Sequence, residues 1–359
     1  MNSLKAGILG ATGAVGQKFI RLLENHPWFK ITALGASGRS AGKPYRKAAN
    51  WVEPVPLPES IAGLEVRECK TTNFDDVDFV FSGLDSSVAG KIEKEFAASG
   101  IPVISNAKNF RMHPDVPLLV PEVNPDHIDL IDRQEFSGDG GWIVTNPNCV
   151  VIPLVMSLSP LEKVYGVESV ILTSMQAISG AGYPGVPSLD ILGNVLPFIP
   201  GEEPKIESEP LKLLGTLEEG KVRDAGFSIR ATATRVPVRN GHLLSVNASL
   251  THKPSGLEEV IDLFENWQSP LAEHDLPSAP SRPLWMHKNN DHPQPLLHAE
   301  EEKAMRTSIG RVRVDDNGTV SFVAMAHNTV RGAAGGAILN AELLVAKGKL
   351  TPAAERSPG

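Results

Sequence analysis

Short apolar runs alternate with helix-like segments along the first third of the chain. The segments Gly13–Glu24 and Ser87–Ser99 repeat apolar residues at helical spacing, and Gly100 is a typical stop for the second helix. Buried strands are predicted at Lys5–Gly10, Lys30–Ala36, Val77–Leu84, Ile101–Ala107 and Trp142–Asn146. This alternation predicts a parallel sheet with helices on its faces.

The pattern changes after residue 149, where apolar and polar positions alternate. Strands with one buried face are predicted at Val167–Ser179, Phe227–Val238 and Gly241–Leu250. A hairpin that turns at Asp-Asn-Gly is predicted at Arg311–Ala326. These longer strands predict a second, α+β domain with a mixed, largely antiparallel sheet. A last helix is predicted at Asn328–Lys347, and we expect the tail, residues 351–359, to fray.

The bulk composition narrows the class of protein. A length of 359 residues suggests two domains, each with its own core, and 41% hydrophobic with 21% charged residues is typical of a soluble globular protein. The net charge of −8 disfavours a nucleic-acid partner, and no apolar run is long enough for a membrane span. The N-terminal stretch MNSLKAGILGATG lacks the features of a signal peptide.

The number of cysteines indicates the cellular compartment, and their spacing shows whether a common metal-binding motif is present. Only two cysteines occur, which argues against a disulfide framework and indicates a reducing compartment, so we expect a cytoplasmic protein. Neither cysteine belongs to a CxxC motif, and no HExxH or clustered His/Cys spacing is present. We therefore expect no metal site. Cys69, which has polar neighbours in EVRECKTTN, is interpreted as structural.

A glycine-rich loop lies between the first predicted strand and the first predicted helix. In GILGATGAVGQ, Gly10 permits a tight turn, Gly13 lets the backbone approach a pyrophosphate, and Gly16 allows close packing of helix on strand. A glycine-rich turn without a ligand is the alternative, and the strand–turn–helix context disfavours it. The loop therefore predicts a dinucleotide-binding domain of the Rossmann type.

The end of the second predicted strand indicates which dinucleotide binds. NAD enzymes usually carry an acidic residue there for the ribose 2′-hydroxyl, whereas no acid occurs between Ala33 and Tyr45. Ser37, Arg39 and Ser40, with Lys43 nearby, offer hydroxyls and positive charge that suit a 2′-phosphate. An ordinary solvated loop is the alternative. This segment favours NADP.

Cys149 lies in TNPNCVVIPL, after a predicted strand and before a predicted helix at Val150–Leu161. A helix N-terminus favours the reactive thiolate, but free cysteines are also often inert core residues, so location alone leaves both interpretations open. A nucleophilic thiolate needs a proton partner. His242 is the candidate because it follows the Asn-Gly of a tight turn in RVPVRNGHLLSV, whereas histidines such as His26 and His292 lie in loops with Pro or charged neighbours.

Taken in order, the motifs GATGAVGQ, NPNC, QAISGAGYPG and RVPVRNGH resemble the archaeal and fungal-type branch of the aspartate-β-semialdehyde dehydrogenases. SGRSAGKPY, SNAKNFR, PEVN and HNTVRGAAGGA strengthen the resemblance, which extends from about Leu4 to the C-terminal helix. Single motifs are shared with related reductases, but the set is specific. The resemblance implies NADPH-dependent conversion of 4-phospho-L-aspartate to L-aspartate 4-semialdehyde through a cysteine thioester, in the biosynthesis of Lys, Thr, Met and Ile.

The resemblance also implies a role for each site residue. Cys149 would be the nucleophile and His242 the general acid/base. Arg235 would bind the substrate carboxylate and Glu202 the substrate amine, although the adjacent Glu203 could take the latter role. The other implied residues are Gln176, which positions the acyl group, Asn148 beside the nucleophile, and Lys205, Arg111 and Asn106, which bind phosphate. We expect backbone N–H groups at the start of the helix after the nucleophile to stabilise the oxyanion.

The implied cofactor is NADP, and the implied assembly is a homodimer or homotetramer, without nucleic-acid or membrane partners. The predicted cofactor-binding residues are Gly10, Thr12, Gly13, Ala14, Val15, Gly16, Ser37, Arg39, Ser40, Ser82, Ser179, Gly180 and Asn328. We expect residues 1–147 and 326–359 to form the NADP-binding Rossmann domain, and residues 148–325 to form the catalytic and dimerisation domain.

Three other functions remain open from the sequence. N-acetyl-glutamyl-phosphate reductase has the same chemistry, but its substrate amine is blocked and needs no Glu202. Malonyl-CoA reductase shares SGAGYPG and HNTVRGAAGG, and NPNC and RVPV favour the semialdehyde enzyme over it. A non-catalytic NADPH-binding redox sensor using Cys149 is disfavoured, because such a protein would not need His242, Gln176 and Arg235 as well.

Overall fold

A computed structural model describes residues 3–355, and the end of the tail predicted to fray, residues 356–359, lies outside them. The strands are β1 Leu4–Leu9, β2 Phe29–Ala36, β3 Val66–Glu68, β4 Phe79–Ser82, β5 Val103–Ser105, β6 Ile143–Thr145, β7 Val167–Gln176, β8 Thr216–Glu218, β9 Lys221–Arg223, β10 Ser228–Arg235, β11 His242–Leu250, β12 Leu284–Met286, β13 Thr307–Val314 and β14 Val320–Ala326. The α-helices are α1 Ala14–Leu23, α2 Tyr45–Ala48, α3 Glu59–Ala62, α4 Ser86–Ala98, α5 Val151–Tyr165, α6 Ser188–Ile191, α7 Glu203–Leu213, α8 Leu257–Glu265, α9 Pro295–His298, α10 Glu301–Ala304 and α11 Gly335–Ala346. Short 3₁₀ helices lie at Thr71–Asn73, Pro125–Arg133, Ile178–Ala181 and Ala353–Glu355, and a π-helical turn lies at Val330–Ala334.

The first sheet is parallel, with strand order β3-β2-β1-β4-β5-β6. The five predicted strands of this region are all present, and α4 ends before Gly100, which has a left-handed φ of 80°. The sequence pattern missed β3, which is short and carries the charged Arg67 and Glu68. The strand order reverses between β1 and β4, and ligands of open parallel sheets bind at such a switch point.

The second sheet is mixed, with strand order β10-β7-β11-β14-β13-β12. The pairs β7–β11, β11–β14 and β13–β14 are antiparallel, whereas β7–β10 and β12–β13 are parallel, which confirms the predicted mixed sheet. The predicted hairpin is present as β13 and β14, and it includes a bulge where Arg311 has a φ of 53°. The edge strand β12 was not predicted.

Two apolar helices, α5 and α11, pack in the cores of the second and first sheets, and α5 directly follows the candidate nucleophile. Helix α5 is buried along almost its whole length, as expected of a helix that is apolar on all sides, and it packs in the core of the second sheet. Helix α11 follows the π-helical turn and packs in the same core as β1. Cys149 lies directly before α5, so the nucleophile candidate is held by a buried helix. Within residues 3–355, no helix combines the length and the apolar character needed to cross a membrane.

Candidate active site

Several strand ends of the second sheet meet at one edge and bring distant residues together. Gln176 and Arg235 are register partners at the carboxyl ends of the parallel strands β7 and β10. His242 begins the antiparallel strand β11 at the same edge and pairs with Ala326, the last residue of β14. Cys149 lies at the edge of a cavity of about 460 Å³, together with Asn148, Gly180, Glu202, Lys205 and Arg235.

The loop that carries Cys149 is held from both sides. The Asn148 side-chain oxygen accepts a hydrogen bond from the N–H of Val150 at 2.9 Å, and its carbonyl accepts one from the N–H of Val151 at 2.9 Å. These two amides are therefore used by Asn148, and the expectation that the helix start supplies free oxyanion donors is wrong for both. The carboxylate of Glu209 accepts from the backbone N–H of Asn148 at 2.7 Å.

The surroundings of Cys149 favour its thiol over its thiolate. Burial and, second, the negative charge of Glu202 raise its pKa to about 12, against the opposing effect of Lys205, Arg111 and Arg235. The expected preference for thiolate at a helix start is therefore outweighed. A change in the surrounding charge can shift this balance towards the thiolate.

His242 is fully buried and held in one tautomer. Its Nδ1 atom accepts a hydrogen bond from the N–H of Ala177 at 3.0 Å, so the proton of the neutral ring is on Nε2. Among residues 3–355, Nε2 has no hydrogen-bond partner. Burial and, second, the charge of Arg235 hold the pKa of His242 well below its usual value. The ring lies directly behind Gly180, where an added Cβ would be 3.0 Å from Nε2.

Glu202 is the acceptor of a hydrogen-bonded group on the cavity wall. Its carboxylate accepts from Nδ2 of Asn148 at 2.9 and 3.1 Å, from Nε2 of Gln176 at 3.3 Å, and from the ammonium of Lys205. Burial alone would raise the pKa of Glu202, but Lys205 and these donors lower it, so the carboxylate is charged. Glu203 lies elsewhere and accepts from the N–H of Ala233 at 3.1 Å. The structure thus places Glu202, and not Glu203, at the cavity.

The two arginines have different positions. Arg235 lines the cavity and is anchored by one hydrogen bond of 2.8 Å from Nη1 to the carbonyl of Ala177. Arg111 is buried behind the Cys149 loop, where it donates to Glu209 at 2.9 Å and to the carbonyl of Asn106 at 2.8 Å. Arg111 therefore supports the loop in this structure, and the phosphate contact inferred for it and for Asn106 stays a prediction.

Asn328 links the loop after β7 to the turn before His242. Its Nδ2 donates to the hydroxyl of Ser179 at 2.8 Å, and its Oδ1 accepts from the N–H of Gly241 at 2.9 Å. Because Asn328 is 2% exposed, these bonds are protected from water. Asn328, Ser179 and Gly180 are therefore close together, and the cofactor contact inferred for them stays a prediction.

The glycine-rich loop is shaped for close approach. Gly10 has a φ of 79°, and a Cβ on Gly16 would lie 2.3 Å from the carbonyl oxygen of Gly10. The loop is secured by the Tyr45 hydroxyl, which donates to the carbonyl of Ala11 at 2.8 Å, and by Gln17, which donates to that of Thr12 at 3.0 Å. The other residues predicted to contact the cofactor lie around this loop: Gly13 precedes α1, Ala14 and Val15 begin it, and Ser82 ends the neighbouring strand β4.

The loop after β2 is less uniformly basic than the sequence suggests. Ser37 and Arg39 are exposed and Ser40 is half-buried, all at the carboxyl end of β2. However, a Cβ on Gly38 would lie 3.2 Å from the carboxylate of Glu68, at the end of the neighbouring strand β3. Lys70 pairs with this carboxylate at 2.5 Å. An acid thus lies beside the loop, and a lysine offsets its charge.

Comparison with known proteins agrees with this architecture. The family described as "Semialdehyde dehydrogenase, NAD binding domain" matches residues 5–131, and "Semialdehyde dehydrogenase, dimerisation domain" matches residues 158–331. The aspartate-semialdehyde dehydrogenases of Aspergillus fumigatus and Methanothermobacter thermautotrophicus are 47% and 46% identical, covering 96% and 95% of this chain and 98% and 99% of their own. The chain belongs to the aspartate-semialdehyde dehydrogenase family.

A solved structure of the same family supports the fold over nearly the whole described chain. The crystal structure of the aspartate-semialdehyde dehydrogenase of Candida albicans with NADP is 41% identical, with a TM-score of 0.90, and covers 97% of this chain and all of that one. The resemblance stated from the motifs is confirmed, and the chain is an oxidoreductase of this family.

Sequence reasoning missed the residues that support the site. Glu209 received no role, although it holds both Asn148 and Arg111. Gly332 lies in a glycine-rich segment and was not singled out from the sequence, yet a Cβ there would lie 2.7 Å from the Cβ of Cys149. The only signal for Gly332 was the unusual glycine content of HNTVRGAAGGA, and Glu209 had none because its partners are distant in the chain.

Proposed function

We propose that this aspartate-semialdehyde dehydrogenase family member reduces 4-phospho-L-aspartate to L-aspartate 4-semialdehyde and phosphate, with NADPH as the reductant. The observation that carries the proposal is the grouping of a thiol, a carboxylate and a guanidinium on one cavity: Cys149, Glu202 and Arg235. The substrate has an acyl carbon to attack, an ammonium and a carboxylate. Each of its groups therefore has a partner of suitable charge or reactivity.

The residues of the first domain fit NADPH. The left-handed Gly10 and the tight Gly10–Gly16 contact leave a loop of small residues at the N-terminus of α1, which suits a pyrophosphate. Ser37, Arg39 and Ser40 suit the 2′-phosphate. When bound, NADPH supplies the hydride that reduces the thioester. The crystal structure of the Candida albicans relative is of that enzyme with NADP, which supports the same choice.

We infer that the substrate helps to activate the nucleophile. Glu202 is one of the groups that raise the pKa of Cys149, and a substrate ammonium beside Glu202 would neutralise that effect. The sulfur attacks the acyl carbon, the carbon–oxygen bond to phosphate breaks, and the leaving phosphate keeps the electron pair and takes up the proton that the thiol releases. A thioester on Cys149 and free phosphate result. Lys205, which lines the same cavity, is the candidate to stabilise the departing phosphate.

His242 is proposed to act as a donor. With Nδ1 engaged by Ala177, the neutral ring presents an N–H at Nε2. This N–H can stabilise negative charge on sulfur or on the acyl oxygen, a role that the occupied amides of Val150 and Val151 do not fill. Arg235, anchored on Ala177, is proposed to bind the substrate carboxylate and to fix its distance from Cys149.

The experiment is a steady-state assay of the reverse reaction with L-aspartate 4-semialdehyde, phosphate and either NADP or NAD. We expect phosphate-dependent reduction of NADP, and loss of nearly all turnover in Cys149→Ser with NADPH binding retained. Malonyl-CoA with NADPH serves as the rival substrate. Turnover of malonyl-CoA without turnover of the semialdehyde would disprove the proposal, and NADPH binding without any turnover would favour the sensor function.

We further propose a cytoplasmic homodimer, formed by the domain at residues 148–325, with residues 1–147 and 326–359 as the NADP-binding domain. A dimerisation domain matches residues 158–331, most of which lie in the first of these ranges. The segment around α6 exposes large apolar side chains, including Leu189 at 92% and Leu192 at 70%, which suits contact with a second copy of this chain. Light scattering that gives the mass of a single chain at micromolar concentration would contradict the dimer.

A further inference from the structure

Three histidines come together outside the cavity of the candidate active site. His287 directly follows β12, His292 lies in the following loop, and His298 ends α9. One ring nitrogen of each lies within 4.8 Å of the other two. Their ring centroids are 4.4 to 5.5 Å apart. We call these residues the three-histidine cluster; it was not predicted, because its spacing along the chain matches no common metal motif.

The nitrogen atoms of the cluster suit a metal ligand set. Nε2 of His287, a residue that is 8% exposed, has no hydrogen-bond partner within the described residues 3–355. Nδ1 of His298 lies 2.8 Å from the backbone nitrogen and 3.0 Å from the carbonyl oxygen of Gln294. The first contact favours a lone pair on Nδ1. The second allows the tautomer with the proton on Nδ1, and this is the tautomer that a metal ion at Nε2 selects, as in zinc-binding histidines whose second nitrogen donates to a backbone carbonyl. His292 is half-buried and has the carboxylate of Asp291 at 3.7 Å from Nε2.

The backbone around the cluster is well fixed. The N–H of His287 donates to the carbonyl of Ile309 at 2.7 Å, which continues the pairing of β12 with β13. Gly310, the next residue, lies against the His292 loop, and a Cβ there would be 2.3 Å from the carbonyl oxygen of His292. The absence of a side chain at Gly310 therefore lets the loop bring His292 up to His287.

We propose that the three-histidine cluster binds one divalent transition-metal ion of the zinc class. Three imidazoles and one open position form a common zinc ligand set, with Zn–N distances of about 2.0–2.1 Å and hence nitrogen separations of roughly 3.4 Å. The present upper limit of 4.8 Å leaves at most about 1.4 Å to be closed by ring rotations. Neutral imidazole also prefers such ions to Mg²⁺ or Ca²⁺, which favour oxygen.

The site has a structural connection to His242. Helix α9, which ends at His298, packs on the turn before β11: a Cβ on Gly241 would lie 3.0 Å from the Cβ of Pro295 and 3.3 Å from that of Ala299. None of the three histidines lines the cavity that holds Cys149. The metal is therefore assigned a bracing role, holding α9 against the turn that carries His242, and not a role in the reaction.

The test uses the full-length chain with the Cys149→Ser substitution, so that the active-site thiol does not compete for metal. After dialysis against a chelator, the protein is titrated with Zn²⁺ by calorimetry and with Co²⁺ by visible absorption. We expect one ion per chain, a Co²⁺ spectrum of a four- or five-coordinate nitrogen site, and a rise in melting temperature with Zn²⁺. Absence of stoichiometric uptake at a tenfold excess of either ion would overturn the proposal without any further variant.

Variants then locate the ion. His292→Gln and His298→Gln should each lower the affinity at least tenfold, whereas the matched control His252→Gln, at an exposed histidine, should bind as the parent does. Circular dichroism before titration checks the fold of each variant. Equal loss in the His252→Gln control, or unchanged uptake in both cluster variants, would place the ion elsewhere and refute the assignment. If a cluster variant does not fold, the calorimetric and spectroscopic result on the parent decides.

Discussion

Replacing Gly332 with alanine should displace the nucleophile, because the new Cβ would lie 2.7 Å from the Cβ of Cys149. Carbon atoms in contact normally lie about 3.5–4.0 Å apart, so relief of the overlap requires a shift of about 1 Å. Gly332 has no left-handed φ, and the effect is therefore one of packing alone. A shift of this size at a reacting group can lower the rate by about 100-fold, which equals roughly 2.7 kcal/mol of transition-state stabilisation.

The same overlap should destabilise the fold by roughly 1–3 kcal/mol, the usual range for an added carbon in a close-packed region. The assay measures kcat for oxidation of L-aspartate 4-semialdehyde, the melting temperature, and NADPH binding by fluorescence, at 25 °C. Gly226→Ala is the matched control, because a Cβ at Gly226 would contact nothing within 4 Å. If Gly332→Ala kept a kcat within twofold of the parent, the argument that Gly332 positions Cys149 would be refuted.

Three further predictions concern charge. Arg235→Lys should lower kcat/KM for the semialdehyde by about 10- to 100-fold, because lysine cannot bind a carboxylate with two parallel hydrogen bonds. Unchanged steady-state kinetics would exclude the proposed contact between Arg235 and the substrate carboxylate. Lys70→Gln should leave the negative charge of Glu68 uncompensated beside the loop after β2, and so weaken the binding of NADPH more than that of NADH, most of all at low salt. Equal NADPH dissociation constants for parent and variant would contradict this. Burial raises the pKa of Glu93 to about 7, so the contribution of the protonated side chain to stability is fully present below pH 4.5 and is lost as the pH rises through 7. In urea unfolding, Glu93→Gln should therefore gain roughly 3 kcal/mol of stability relative to the parent between pH 4.5 and 8. A difference that does not depend on pH would refute the raised pKa of Glu93.

Local patterns account for most of the fold that could be predicted. The predicted strands of the first sheet are rich in apolar residues, and the glycine-rich loop, the stop at Gly100 and the Asp-Asn-Gly turn are signals that depend on a few adjacent residues. Strand β3 lacked such a signal because two of its three residues are charged, and β12 is a run of three residues with no recognised motif beside it. Their existence depends on neighbouring strands that offer unpaired backbone groups.

Only those residues of the candidate site that lie within sequence motifs could be predicted. Cys149, His242 and Arg235 lie in recognisable segments. The structure brings Arg235 and His242 to one edge of the second sheet, and Cys149 and Arg235 line the same cavity. The position of Arg111 behind the loop was not predictable, because it is set by Glu209, almost a hundred residues away. A single sequence gives no spacing rule for such a pair, and the same holds for the three-histidine cluster.

The charges around Cys149 connect substrate binding with the protonation of the nucleophile. Burial keeps the pKa of the Cys149 thiol high, and Glu202 raises it further, which disfavours the reactive thiolate in the absence of substrate. Glu202 is itself kept charged by Lys205 and its hydrogen-bond donors. A substrate ammonium at Glu202 would remove one cause of the high pKa of Cys149, whereas a substrate carboxylate at Arg235 would offset one of the opposing charges. In the proposed mechanism it is therefore the ammonium that links substrate recognition to activation of the nucleophile, and an analogue without the ammonium should be a poor substrate even where it binds.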